Sequence, residues 1–299
     1  MKKFLTIIGV LALLLTVYAL LQSVLATGCT LGALYYGSMQ GAISGNILEI
    51  MEVQDISSLP SVVQGYYFAG MSTGLFLSAV LMLLLIHVSG LFRMRMSLFR
   101  SISARPLFLA TALVFTSMWV LNIFVQWFPL KNHMETQFDG ISHNLLGALT
   151  ISLVAPVLEE VMFRGAIQGY MTRKTGKPVL SIVIASLVFG IFHMNPIQIV
   201  YASLLGMILG WIYYRTGSLL SVIVGHVLNN TIATFTMLTM ADVDEKAVSN
   251  ASPGYVAFAF FAVLSILLVI KLNKALPPVP SPWHESDEPK VAVTEAVKD

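Results

Sequence analysis

Eight apolar runs separated by short polar segments constrain this chain more than any other feature. They lie at about Phe4 to Ala26, Tyr66 to Gly90, Pro106 to Phe128, Ile141 to Tyr170, Val179 to His193, Gln198 to Tyr214, Ser218 to Met237 and Tyr255 to Ile270. A helix crossing a bilayer takes about 20 apolar residues. The expected fold class is therefore all-α, a polytopic transmembrane helical bundle with about eight spans. Composition agrees, because charged residues make up 11% of the 299 residues, against about a quarter in soluble domains. A formal net charge of +2 with no basic run excludes nucleic acid as a partner. One Cys leaves neither a disulfide framework nor a multi-Cys zinc site, so any metal would fall to His and carboxylates.

The placement of charge between the runs gives an orientation, since Lys and Arg accumulate in cytoplasmic loops. Lys2 and Lys3 precede the first run. Arg93, Arg95, Arg100 and Arg105 follow the second, Arg173, Lys174 and Lys177 the fourth, Arg215 the sixth, and Lys271 and Lys274 the eighth. The alternate loops hold Lys131 and Lys246 as their bases, with Glu49, Glu52, Asp55, Glu135, Asp139, Asp242, Asp244 and Glu245. This alternation predicts eight crossings with both termini in the cytoplasm, in the cell membrane if the source is a prokaryote.

Residues 1–275 are expected to form one transmembrane helical domain, and 276–299, rich in Pro and charge without an apolar period, a disordered cytoplasmic tail. The outer segment from Thr27 to Gln64 is expected to carry an interfacial helix around Ile47 to Val53. Ala26-Thr27-Gly28-Cys29 is a poor lipoprotein cleavage site and reads as part of an uncleaved first helix. Trp211, Tyr213 and Tyr214 beside Arg215 read as an interfacial belt.

Three ionised residues remain inside a span: Glu159, Glu160 and Arg164. Intramembrane charge costs a few kcal/mol on insertion scales and is a functional hypothesis by default. Glu160 and Arg164 stand at i and i+4, one turn apart on one helix face, which suits an ion pair. Glu159 points about 100° away, unpaired and free to face a cavity as a general base. His193 follows Phe189 by one turn, and Asn230 follows His226 by one turn. From their cytoplasmic ends, Glu159, His193 and His226 lie roughly 20, 21 and 12 Å along their helices at the α-helical rise, so they can converge in a cavity open to the cytoplasm. His87 and His143 read as structural or interfacial; His133 and His284 carry no signal.

These residues resemble the CPBP family of CAAX proteases and bacteriocin-processing enzymes, whose best-known branch is the type II CAAX prenyl endopeptidases. The EExxxR motif is Glu159-Glu160-Val161-Met162-Phe163-Arg164, FxxxH runs from Phe189 to His193, and HxxxN from His226 to Asn230. The order matches, with a protease core at about 141–240. The resemblance implies an intramembrane endopeptidase, in which Glu159 and His193 activate a water while His226 and Asn230 stabilise the oxyanion; Glu160, Arg164 and Phe189 support them. Residue chemistry is consistent with that allocation, since imidazole and amide N–H groups suit a developing oxyanion. No Ser or Cys with a neighbouring base joins the constellation, which disfavours an acyl-enzyme.

Glu159, His193 and His226 could supply a three-ligand zinc site with an open water position, but Asn230 beside His226 reads better as an oxyanion donor, so no cofactor is favoured and zinc stands as the alternative. The expected partners are the bilayer and a peptide or membrane-associated protein substrate, prenylated or not. Two other functions fit the same residues: a proton-coupled transporter, for which inverted repeats and broken helices are not apparent, and a non-catalytic scaffold or bacteriocin-immunity protein.

Overall fold

A computed structural model of the protein describes residues 2–88, 102–240 and 254–276. Arg93, Arg95 and Arg100, the segment holding Asp242, Asp244, Glu245 and Lys246, and the tail from residue 277, with His284, lie outside the described residues. Among the described residues the chain is helical, with no strand. The helices are α1 (Lys2–Met39), α2 (Ile47–Glu52), α3 (Ser61–Val88), α4 (Ala104–Gln126) and α5 (Glu135–Ser142). They continue with α6 (Leu145–Thr175), α7 (Pro178–Phe192), α8 (Pro196–Thr216), α9 (Leu219–Met240) and α10 (Tyr255–Ala275).

Seven of these helices are long and apolar enough to cross a bilayer, and α7 is an apolar helix of 15 residues. The protein is an integral multi-pass membrane protein, and α7 corresponds to the fifth run of the sequence, Val179 to His193. Phe189 and Gly190 of α7 are buried among other helices, while Val179, Leu187 and Ile191 face outward.

Several helices depart from their expected bounds, α3 starting at Ser61 and α10 ending at Ala275 among them, and two of the departures have a visible cause. The first was expected to end near Ala26, but α1 continues to Met39. The reason is tertiary: Gly70 and Gly74 of α3 let the backbones of α1 and α3 meet. A Cβ on Gly70 would stand 2.5 Å from Thr30 Cα, and one on Gly74 2.5 Å from Ala26 Cα. Small residues spaced four apart are a common device for close helix packing in membranes. The fourth span starts later than Ile141, because the chain breaks at His143-Asn144. There Asn144 Oδ1 accepts the Gly147 N–H at 3.1 Å and caps α6. A helix is present where one was expected around Ile47 to Val53, as α2, capped by Asn46.

The buried apolar side chains form two main clusters. One joins α1, α3, α6 and α7 around Tyr18, Met82, Phe163 and Phe189. The other joins α4, α8, α9 and α10 around Leu113, Leu209, Tyr213 and Leu272. Tyr213 thus sits in the core and not in the interfacial belt expected of it. The polar residues of α6 and α9 occupy the seam between the clusters.

Candidate functional site

Helix α6 is the backbone of the site, and it is not a uniform α-helix. Over Thr150–Val154 and again over Glu160–Gln168 its N–H groups reach back five residues instead of four. Such π-helical turns are rare and concentrate at functional sites. Pro156 follows the first π turn, and Gly176, at φ 67°, ends the helix one residue after Thr175 by donating its N–H to Thr172 O. That left-handed cap is a conformation glycine reaches without steric cost.

Glu160, Arg164 and Gln168 form a ladder along one face of α6. Arg164 Nη1 donates to Glu160 Oε1 at 2.9 Å, both residues being fully buried. Arg164 Nη2 also donates to Gly206 O at 3.3 Å, and Gln168 Nε2 donates to Gly210 O at 2.8 Å. The two glycines of α8 make this possible, since a Cβ on Gly206 would stand 3.2 Å from Arg164 Nη2 and one on Gly210 2.8 Å from Gln168 Oε1. The guanidinium is covered on another side by the Phe189 ring, with Cζ 4.6 Å from its centroid, a cation–π contact. Gln168 was not singled out in the sequence. Its i+4 step from Arg164, opposite glycines that are themselves four apart, is the signal that could have found it.

Helix α9 brings His226 against both carboxylates. His226 Nδ1–H donates to Glu160 Oε1 at 2.7 Å, and His226 Nε2 stands 3.6 Å from Glu159 Oε2. Glu159 is therefore not an isolated carboxylate: its partner comes from another helix, 67 residues on. Its side chain is 17% exposed where that of Glu160 is 0%, so of the two it is the carboxylate that a substrate or water can reach. Two carboxyl groups, one guanidinium and one imidazole thus share a site where charge is expensive to bury.

His193 caps the end of α7. Its Nδ1–H donates to Phe189 O at 2.9 Å, which leaves Nε2 of the neutral ring as an acceptor. Among the described residues, no hydrogen bond or ion pair joins His193 to Glu159 directly. The ring meets Phe189 edge-on, with centroids 4.9 Å apart, and Phe189 meets His226 in the same manner at 5.8 Å. His193 is held by a tight turn: Met194 takes φ 53°, which costs a non-glycine residue about 1–3 kcal/mol. Buried Asn195 anchors it by donating Nδ2–H to Asn132 Oδ1 at 2.8 Å and accepting the His133 N–H at 3.3 Å. On the outer side Phe192 stacks on Tyr18 of α1 at 5.2 Å.

Asn230 is oriented by neighbours that sequence spacing does not suggest. Its Nδ2 donates to Ile151 O at 3.0 Å, and its Oδ1 accepts from Asn229 Nδ2 at 2.9 Å. One of its two amide N–H bonds is thus used and one remains. Of the histidines set aside, His87 lies in the last turn of α3, and His143 bonds the backbone of Asp139 on an exposed face. An open apolar groove between α6 and α9, lined by Leu153, Ile223, Val224, Val227, Leu228 and Thr231, runs beside this cluster.

Among the described residues, no three His, Cys, Asp or Glu side chains converge so as to hold a metal. Glu159, His193 and His226 do not form such a group, since no direct contact joins His193 to Glu159, while His226 with Nδ1 bonded to Glu160 keeps Nε2 toward Glu159.

Residues 141–232 match the family described as Type II CAAX prenyl endopeptidase Rce1-like. All seven motif residues discussed above fall within that stretch. This match supports a CPBP-family resemblance over residues 141–232. The chain is also 31% identical over 108 residues to a protein of Bacillus subtilis (strain 168) named "Putative membrane peptidase YdiL". That alignment takes in 36% of this chain and 44% of the relative, so the chain spans less than half the length of the protein it matches. No solved structure matches. The matched segment contains α6 to most of α9, whereas α1, whose Tyr18 stacks on Phe192, lies outside it.

Proposed function

We propose that this protein is an intramembrane endopeptidase that hydrolyses a peptide bond by general-base activation of water. The observation that carries this reading is the pair Glu159–His226, 3.6 Å apart and joined to the buried Glu160–Arg164 ion pair. A partly accessible carboxylate, a histidine oriented by a second carboxylate and a nearby amide supply the base and the donors that peptide hydrolysis needs. The Rce1-like match over 141–232 and the similarity to a protein named as a membrane peptidase support the same class.

In this reading Glu159 takes a proton from water as the oxygen attacks the scissile carbonyl carbon. The carbonyl oxygen, now carrying the negative charge, accepts from His226 Nε2–H and from the unused N–H of Asn230. The proton held by Glu159 then passes to the amine as the C–N bond breaks. His193, with Nε2 free to accept, is a second group able to hold the attacking water. Glu160 and Arg164 hold His226 in register, and none of these steps uses a metal. The substrate is a peptide at the membrane, and both termini of the enzyme face the cytoplasm, as the distribution of Lys and Arg supports.

The test is cleavage of a membrane-reconstituted peptide library, with prenylated and unprenylated members, by detergent-purified protein. Native protein is expected to cleave, while Glu159→Ala, His193→Ala and His226→Ala remain folded and lose turnover. Unchanged cleavage in Glu159→Ala removes the proposed base. Absence of cleavage by native protein, with proton flux across vesicles that depends on Glu159, points instead to transport. Reporter fusions at each terminus test the orientation.

A further inference from the structure

Helix α8 carries none of the three motifs, yet one of its side chains reaches the site through two others. Tyr201 O–H donates to Asn229 Oδ1 at 2.6 Å, Asn229 Nδ2 donates to Asn230 Oδ1 at 2.9 Å, and Asn230 Nδ2 donates to Ile151 O at 3.0 Å. Asn229 is buried. The chain therefore joins α8 to α6 by way of two consecutive asparagines of α9.

An asparagine amide can be turned over with little change in shape, so what matters is which end of each amide faces which neighbour. Here the two ends of the chain decide. At one end stands a carbonyl that can only accept. Ala155 N–H reaches back five residues to Thr150 O, so in that pattern the donor to Ile151 O would be the N–H of residue 156. Residue 156 is proline, which has no N–H. The vacant Ile151 carbonyl takes the Asn230 amide nitrogen instead. Asn230 Oδ1 must then face Asn229, whose nitrogen must face Asn230, and whose Oδ1 needs a donor from outside α9. Tyr201 supplies it.

We propose that Tyr201 is a positioning residue of the active site, acting through Asn229 to keep the Asn230 amide turned with its nitrogen toward α6 and its second N–H available to the oxyanion. The role rests on the peptidase reading. Removing the Tyr201 hydroxyl leaves Asn229 without the group that selects its orientation. Once Asn229 can turn its oxygen toward Asn230, the Asn230 amide loses its partner and its direction. Tyr201 touches no reacting atom and transfers no proton.

The experiment is a cycle of Tyr201→Phe and Asn229→Ala, with steady-state kcat and KM measured on one peptide that native protein cleaves, and with thermal unfolding followed in the same detergent. Tyr201→Phe keeps the ring and removes one oxygen. It is expected to lower kcat roughly tenfold, the scale of one lost hydrogen bond, with KM within about twofold. Asn229→Ala is expected to lower kcat at least as far, and Tyr201→Phe to lower it no further in the Asn229→Ala background, because one chain is already broken. Native kcat in Tyr201→Phe overturns the proposal. So do losses that multiply in the double variant, or losses matched by a parallel fall in unfolding temperature. Native protein that cleaves no faster than Glu159→Ala overturns the peptidase reading and this role with it; activity that needs Glu159 but not the Tyr201 hydroxyl overturns this role alone.

Discussion

His226 Nδ1 lies 2.7 Å from Glu160 Oε1, and the same oxygen accepts from Arg164 at 2.9 Å. One buried carboxylate oxygen thus ties the guanidinium of its own helix to the imidazole of another. Arg164→Ala would leave Glu160 without its cation, and breaking a buried pair costs about 3–5 kcal/mol. The expected outcome is a large fall in unfolding temperature together with loss of turnover. An Arg164→Ala protein as stable as native would show that the pair does not hold the helices.

Glu159→Gln should separate from Arg164→Ala. Glu159 is partly exposed, and its partner stands beyond hydrogen-bond distance at 3.6 Å, so the fold has little to lose. Removing a general base costs about 10²–10⁴ in rate. Turnover is expected to fall by at least a hundredfold with the unfolding temperature unchanged, and the decisive comparison is kcat against thermal melts on the same preparation.

Gly210→Ala tests the close approach of α6 and α8. A Cβ there would stand 2.8 Å from Gln168 Oε1 and 3.0 Å from Ile182 Cγ2. Overpacking of this kind costs about 1–3 kcal/mol, and here it would also push Gln168 off the Gly210 carbonyl. Lower stability is expected, and pairing Gly210→Ala with Gln168→Ala should recover part of it. If the double variant melts below Gly210→Ala, the clash lies elsewhere.

Pro156→Ala addresses the turn that leaves Ile151 O vacant. Restoring an N–H gives α6 a backbone donor of its own, and proline inside a helix is unfavourable by about 3 kcal/mol. The unfolding temperature is expected to hold or rise, while kcat falls several-fold because Asn230 loses the carbonyl that orients it. A variant with native kcat would break the link between Pro156 and Asn230.

Metal content is a further check. The proposed mechanism activates water with Glu159 and no metal, and no direct contact joins His193 to Glu159, so purified active protein is expected to hold well under one zinc per chain and to keep its turnover after chelation. One zinc per chain, with activity lost on removal and restored on its return, would reverse the proposed mechanism.

Apolar run length was enough to read the helical bundle, because a bilayer crossing sets a minimum length that composition reveals. Helix ends were less legible. The extension of α1 to Met39 depends on Gly70 and Gly74 of α3, and a count of apolar residues in one helix holds no record of its neighbour. Tyr213 was misplaced for the same reason: an aromatic beside Arg215 has the composition of a membrane interface, and only packing against α4 and α10 buries it.

Within the site, the sequence alone determined what belongs to a single helix. Glu160 and Arg164 share a face by their spacing, because neighbours four apart on a helix follow directly from residue number, whereas the α-helical angle that turned Glu159 away from Glu160 did not foresee one imidazole meeting both. The tertiary structure decided every contact between helices: Glu159 and Glu160 with His226, Arg164 with Gly206, Gln168 with Gly210, and Tyr201 with Asn229. In lipid, apolar surface does not select one helix partner over another; close packing at small residues and hydrogen bonds between polar ones do. Those terms depend on where two helices meet, which is why the charged residues could be found by reading along the chain while their partners could be found only across it.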